Sequence, residues 1–245
     1  MLSSGSEDTN ILNHDVRIKQ HKVATLRGHS QQVCGLAWSP DGRSLASGGD
    51  DNEVCLWDSA QSGAAGTDCF FGIGTSSRCV RPRMRLKSHK AAVKALAWSP
   101  HQGHLLATGG ATCDDSIKLW NTACGSSGDA LVKSVDTGSQ VSSLVWNPEH
   151  QELLSGHGYS QKKPLILWNA HTMTRRAELK GHTGSVLHLA ASTDGSSVVS
   201  AGGDETLRYW NVFDEGRKRS SAGGCGRLQE GGCLSKGPKK GLTIR

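Results

Sequence analysis

A hydroxyl, a histidine and an aspartate recur together along this sequence. Asp51, Asp114 and Asp204 each lie six residues before a tryptophan: Trp57, Trp120 and Trp210. His29, His89 and His182 each lie four residues before a valine: Val33, Val93 and Val186. Between each His and its Asp falls Ser47, Thr108 or Ser200. These side chains could do acyl transfer, with the imidazole taking the hydroxyl proton and the carboxylate fixing the imidazole's tautomer. An active site, however, does not recur three times with an indole beside it. A chain from Asp to His to Ser/Thr to the Trp N–H would instead satisfy buried polar groups and pin turns. The set is therefore read as structural.

Other chemistry finds no support. Gly72-x-Gly74 is too short for a phosphate loop and has no strand–helix context. The eight cysteines, at 34, 55, 69, 79, 113, 124, 225 and 233, form no CxxC pair, and no metal-ligand spacing appears. The expectation is no catalytic residue, no cofactor and no metal: not an enzyme.

The elements that would hold such a network are short strands. In the first copy, Lys22 to Leu26, Val33 to Trp38, Ser44 to Ser47 and Val54 to Trp57 are apolar runs separated by turn residues such as Pro40-Asp41-Gly42. Val33, Val93, Val141 and Val186 share one repeat position, and Trp38, Trp98 and Trp146 another. Trp57, Trp120, Trp168 and Trp210 share a third. Four strands per copy with Gly-His and Trp-Asp punctuation predict an all-β WD-repeat propeller.

The spacing sets a half blade at 1–18, four blades at 22–58, 84–121, 131–169 and 175–211, and an insertion at 60–83. That makes about 4.5 blades and 18 strands. The third copy lacks the His and carries Lys162 at the Asp position, which predicts a looser blade.

The formal net charge is +6, and +5 of it lies beyond Val212. The repeats are therefore near neutral, against a nucleic-acid platform, which needs a basic face. No apolar run approaches the roughly 18–20 residues of a membrane helix, and no secretory signal opens the chain. An intracellular, thiol-reduced protein is expected. The segment 214–245 is basic and poor in apolar residues, which predicts a flexible, disordered tail.

The wording inside the copies is specific. It includes G-H-S-Q-Q-V-C-G-L-A-W-S-P-D-G-R, L-A-S-G-G-D-D-N, S-Q-V-S-S-L-V-W-N-P, E-L-L-S-G-H-G-Y-S-Q and D-E-T-L-R-Y-W-N-V-F. Residues 1 to about 213, the insertion apart, resemble the Fizzy/Fizzy-related family of WD-repeat coactivators of the anaphase-promoting complex, a ubiquitin ligase. The resemblance implies a seven-bladed family fold, of which this chain has about the last four and a half blades. It implies a substrate-recruiting, ligase-activating adaptor located in nucleus and cytoplasm. Implied partners are ligase subunits, degron-bearing substrates and checkpoint inhibitor proteins, with no nucleic acid or membrane.

By the same resemblance, Asp50, Asn52, Thr112, Gln140 and Ser185 match the family's receptor for the KEN degron. Asn52, Thr112 and Gln140 keep the family's residue types, while Asp50 replaces an Asn and Ser185 an Arg. Loss of that Arg removes charge-assisted bonds to the degron's Glu. Glu205 matches the acidic residue that pairs with the Arg of a destruction box. The terminal Ile244-Arg245 matches the family's ligase-docking tail. Two other readings stay open: a truncated, non-functional paralogue, and a generic WD-repeat scaffold.

Overall fold

The computed structural model describes residues 1–59, 78–125, 128–158, 164–193 and 195–212, together with a strand at 230–234. These residues contain twenty strands in five four-stranded sheets, and no α-helix. The first sheet holds β1 (Leu2–Gly5), β2 (Asn10–His14) and β3 (Lys22–Arg27). The second holds β4 (Val33–Trp38), β5 (Ser44–Gly49) and β6 (Val54–Asp58). Next come β7 (Arg78–Val80), added in parallel outside β3, and β8 (Met84–Leu86), which pairs with β6. The third sheet is β9 (Val93–Trp98), β10 (Leu105–Gly110), β11 (Ser116–Asn121) and β12 (Leu131–Asp136). The fourth is β13 (Val141–Trp146), β14 (Glu152–His157), β15 (Leu165–Asn169) and β16 (Thr174–Leu179). The fifth is β17 (Val186–Ala191), β18 (Val198–Gly202), β19 (Leu207–Trp210) and β20 (Glu230–Leu234).

The sheets follow one another through neighbouring inner strands, β4 to β9 to β13 to β17, with β1 beside β4. Relative to the repeat, they are displaced by one strand. The limits 22–58, 84–121, 131–169 and 175–211 are therefore corrected. The first strand of each repeat (β3, β8, β12, β16) hydrogen-bonds to the last strand of the preceding sheet. Sequence period fixes spacing but not phase, so this offset is invisible until pairing is known. The half blade at 1–18 thus gains β3, and among the described residues no counterpart of β4 pairs with it on its inner side.

Two further strands were not expected. β7 lies within the 60–83 insertion, whose residues 60–77 fall outside the described residues. β20 lies within the tail expected to be disordered, and pairs antiparallel with β19. An unpaired β19 would present an open row of backbone donors and acceptors. The tail fills it at 230–234, and the rest of 214–245 falls outside the described residues.

The core is divided among the interfaces between sheets. Ile11, Ala24 and Leu26 pack on Leu45, Cys55 and Trp57 between the first two sheets. Trp120, Trp168 and Trp210 anchor the next three interfaces. These four rings are at most 4% exposed. A buried aromatic removes ~150–250 Å² from water, or roughly 4–6 kcal/mol of transfer energy before entropy is counted.

Trp38, Trp98 and Trp146 tie adjacent sheets by donation from Nε1. Their acceptors are Ser3 Oγ (3.1 Å), the Ala37 carbonyl (3.0 Å) and the Ala97 carbonyl (3.0 Å). Cys34, Cys55, Cys113 and Cys124 are free thiols, whereas Cys79 is disulfide-bonded, unlike the all-thiol chain expected.

Candidate functional site

The recurring polar residues meet inside three of the sheets. In the second sheet, Trp57 Nε1 donates to Ser47 Oγ (2.9 Å), which lies 2.7 Å from His29 Nε2. His29 Nδ1 is 3.0 Å from both Asp51 oxygens. The third sheet repeats this through Trp120, Thr108, His89 and Asp114, and the fifth through Trp210, Ser200, His182 and Asp204. Burial pushes the Asp51 carboxyl up, but the Ser30 N–H, His29 and the Glu53 N–H outweigh it and hold it below the usual range. Burial pushes the His89 imidazole down, and the bond to Asp114 only partly opposes it. A neutral His89 donates from Nδ1 to Asp114 and accepts the Thr108 hydroxyl at Nε2. Ser47, Thr108 and Ser200 are fully buried and each also accepts a tryptophan N–H, so none of these hydroxyls is open to a substrate.

The third repeat builds its own version, and the looser blade expected there is corrected. His157 is fully buried. Its Nε2 lies 2.7 Å from Ser155 Oγ, its Nδ1 lies 3.0 Å from Ser139 Oγ, and Trp168 Nε1 donates to Ser155 (2.7 Å). His157 stands where the other repeats have Gly49, Gly110 or Gly202. A Cβ on Gly49 would lie 2.6 Å from His29 Nδ1. The imidazole has thus moved from the turn to the strand and fills the same space from the other side. The sequence signal was S-G-H in place of S-G-G.

The chains of bonds fix the turns at one end of the sheets, where the resemblance-derived residues lie. Asn52, Asp115 and Glu205 each follow a network aspartate and adopt positive φ, at 64°, 47° and 59°. Asn tolerates this conformation, whereas Glu205 holds it at a cost of roughly 1–2 kcal/mol. Its turn is secured by Asp204, which accepts the Thr183 and Thr206 N–H groups and the Thr206 hydroxyl. Burial raises the Asp204 carboxyl, but these bonds prevail and hold it far below the usual carboxylate range.

Along this end, residues from successive sheets touch. Asp50 accepts from Gln32 Nε2 (2.9 Å) beside Cys34, and Asn52 Nδ2 donates to the Lys90 carbonyl (3.3 Å). Thr112 Oγ1 lies 3.4 Å from Gln140 Oε1. Gly158 stands between Gln140 and Ser185, where a Cβ would lie 3.7 Å from Gln140 Oε1 and 3.4 Å from Ser185 Oγ. Thr112, Gln140 and Ser185 therefore form a continuous line over three sheets. Glu205 is exposed on the fifth sheet's turn. Ile244 and Arg245 fall outside the described residues.

Sequence reading missed the residues at the β-bulges of the inner strands. Pairing skips Cys34, Lys94, Ser142 and Leu187, at the same position in each sheet. Bulges re-aim side chains, and a period-2 pattern does not reveal them. Among the described residues no group of three His, Cys, Asp or Glu could hold a metal ion.

Residues 1–210 match the family model of the CDC20/Fizzy WD40 domain. The chain belongs to the CDC20/Fizzy WD40 family. It is 49% identical over 222 residues to "Anaphase-promoting complex subunit cdc20" of Dictyostelium discoideum, covering 91% of this chain and 40% of that relative. It is 50% identical over 213 residues to "Cell division cycle 20.1, cofactor of APC complex" of Arabidopsis thaliana, covering 87% and 43%. To the Arabidopsis "Protein FIZZY-RELATED 3" it is 46% identical over 213 residues, covering 87% and 40%. A solved structure described as the crystal structure of the mitotic checkpoint complex contains a similar chain. The TM-score is 0.74 at 43% identity, over 86% of this chain and 60% of that one. This member of the CDC20/Fizzy family thus spans about 40% of the length of the curated relatives it matches.

Proposed function

We propose that this chain is a substrate-recruiting and activating adaptor of the anaphase-promoting complex ubiquitin ligase, acting in nucleus and cytoplasm. It binds degron peptides on the end of the sheets that carries Asp50, Asn52, Thr112, Gln140 and Ser185. Glu205 takes the Arg of a destruction box, and Ile244-Arg245 docks on a ligase subunit. Checkpoint inhibitor proteins carrying the same peptide chemistry compete there. No bond is broken by this protein: its work is to hold two partners near each other. The observation that carries the reading is the family match over residues 1–210, supported by the Thr112–Gln140–Ser185 line.

The test is fluorescence anisotropy with labelled destruction-box and KEN peptides. Glu205→Ala should weaken the first and leave the second alone. Equal binding of the destruction-box peptide to both forms ends the Glu205 assignment. Ligase pull-down with and without Ile244-Arg245 tests the tail, and an unchanged yield rejects docking there.

A second reading, a paralogue without adaptor activity, is favoured by one observation. Val199, Leu207 and Tyr209 on the fifth sheet are 40%, 52% and 41% exposed. Apolar faces of this kind promote self-association. A monomeric chain that melts cooperatively would remove that support.

A further inference from the structure

Two grooves open between neighbouring sheets at the end opposite the candidate face, and they differ in character. Between the second and third sheets, Arg83 reaches across. It pairs with Asp58 (2.9 Å) and donates to the Thr122 carbonyl (3.2 Å), in a cleft also lined by Asp41, Arg43 and His104. One sheet further on, the matching position is apolar. Met84 lies opposite Leu56, and Lys133 opposite Leu119, which makes Val132 the counterpart of Arg83. Val132 is 51% exposed and Leu131 37%. Here a cavity of about 230 Å³ has one wall of Leu105, Leu119, Val132, Trp146 and Ala170, and a polar rim that includes His101, His171 and Lys133 but no carboxylate. That is below the ~300–1,000 Å³ of small-molecule pockets, and fits one or two amino-acid side chains.

The strand beside the cavity is an open edge. Among the described residues, β12 pairs with β11 on one side and with no strand on the other. Outer strands are normally guarded by charge or brevity. β16 carries exposed Arg175 and Arg176, and β8 is three residues long. β12 reads L-V-K-S-V-D over six residues: its first half exposes Leu131 and Val132 beside Lys133, and its exposed carboxylate, Asp136, stands at the far end. A free edge next to an apolar cavity is the arrangement that accepts an added strand, whose backbone supplies affinity and whose side chains supply selectivity. Lys133 Nζ donates to the His171 carbonyl, which holds its charge at the rim.

We propose that this groove binds an extended peptide segment of a partner protein. The segment pairs with β12, places one bulky apolar side chain in the cavity and sets carboxylates beside Lys133. It goes beyond the adaptor reading, because it uses the opposite end of the sheets and none of the degron-facing residues.

The experiment uses the full chain and a fluorescein-labelled octapeptide with a central Leu, flanked by Ser, Thr and Val, with Asp at both ends. Its twin carries Ala at the centre. The Leu peptide is expected to bind at least about tenfold tighter than the Ala peptide, as burial of one Leu predicts. Binding should slow hydrogen exchange at β12 amides. Val132→Asp should weaken it at least about tenfold, and Lys133→Glu should reverse the preference toward a peptide with Lys at its ends. Val132 is half exposed, so thermal melting should be unchanged by V132D, and a melting shift directs the test to Lys133→Glu alone. Equal binding of the two peptides, indifference to both substitutions, or no binding up to about 1 mM overturns the proposal. Binding of destruction-box peptide should be unaffected by Val132→Asp, so this groove and the adaptor reading stand or fall separately.

Discussion

His157 Nε2 lies 2.7 Å from Ser155 Oγ, two residues back on the same strand. In the other complete sheets the equivalent hydroxyl meets a His eighteen or nineteen residues upstream. A nearly local pair thus replaces a long-range one, while the indole N–H still ends the chain at Trp168.

That pair gives the protein a pH response. Burial holds the His157 imidazole down at about 4, against an ordinary value of 6.5. As pH falls, the unfolded chain takes up the proton first. The stability that neutral His157 contributes is whole above about pH 6.5 and is lost progressively toward pH 4. The gap corresponds to about 3 kcal/mol at most. Urea midpoints at pH 7 and pH 4.5 should differ, and His157→Gln should flatten the difference. An equally steep loss in the variant assigns it to other groups, His89 first.

The relocated imidazole predicts an exchange experiment. Thr137 occupies the position of His29 in the third repeat. His157→Gly should cost roughly 2–3 kcal/mol, because Ser139 and Ser155 lose a buried partner. Adding Thr137→His to that variant should recover part of it. Thr137→His alone should destabilise, since two rings would compete for one space. Additive costs in chemical denaturation would refute the shared space.

The glycine before each network turn is there for room. A Cβ on Gly49 would lie 2.6 Å from both His29 Nδ1 and Asp51 Oδ1. Gly49→Ala should cost roughly 1–3 kcal/mol, or about 2–4 °C in Tm per kcal/mol for a chain this size. Gly103→Ala meets nothing within 4 Å and serves as the neutral control.

The indole staples can be weighed separately from their packing. Trp98→Phe keeps most of the ring but leaves the Ala37 carbonyl without its donor. A loss of about 1–3 kcal/mol is expected, against roughly 3–5 for Trp98→Ala. Similar losses in both variants would mean that the hydrogen bond carries most of the effect.

Ser185→Arg should strengthen KEN-peptide binding roughly tenfold, since a bond to a charged group is worth about 1.5–3 kcal/mol. Titration by anisotropy decides it, and unchanged affinity removes Ser185 from the peptide's path.

The architecture was legible in the sequence because its anchors are large and periodic. Seven tryptophans at two repeat positions leave little freedom, and each Asp–His–hydroxyl set marks a turn. Three things were hidden for physical reasons. Strand pairing is set by hydrogen bonds between distant segments, so the one-strand offset left no trace in the period. His157 was passed over because a fixed template treats a residue in a new place as a residue lost. β20, with the sequence E-G-G-C-L, has almost no apolar pattern; it is recruited by an open edge rather than by its own preference. The face carrying Thr112, Gln140 and Ser185 could be named only by resemblance, since uncharged polar residues on turns have no pattern of their own.

The displacement between repeat and sheet bears on how such chains change in length. Because every repeat brings the outer strand of the sheet before it, a duplicated or deleted repeat is replaced by another donor of the same kind. A recombination event between repeats therefore leaves no interior sheet short, whatever the final number. In the fifth sheet the outer strand comes instead from residues 230–234, which pair with β19. Selection on this segment should act on its ability to pair with β19 more than on its particular letters, so it can drift while the repeats stay recognisable.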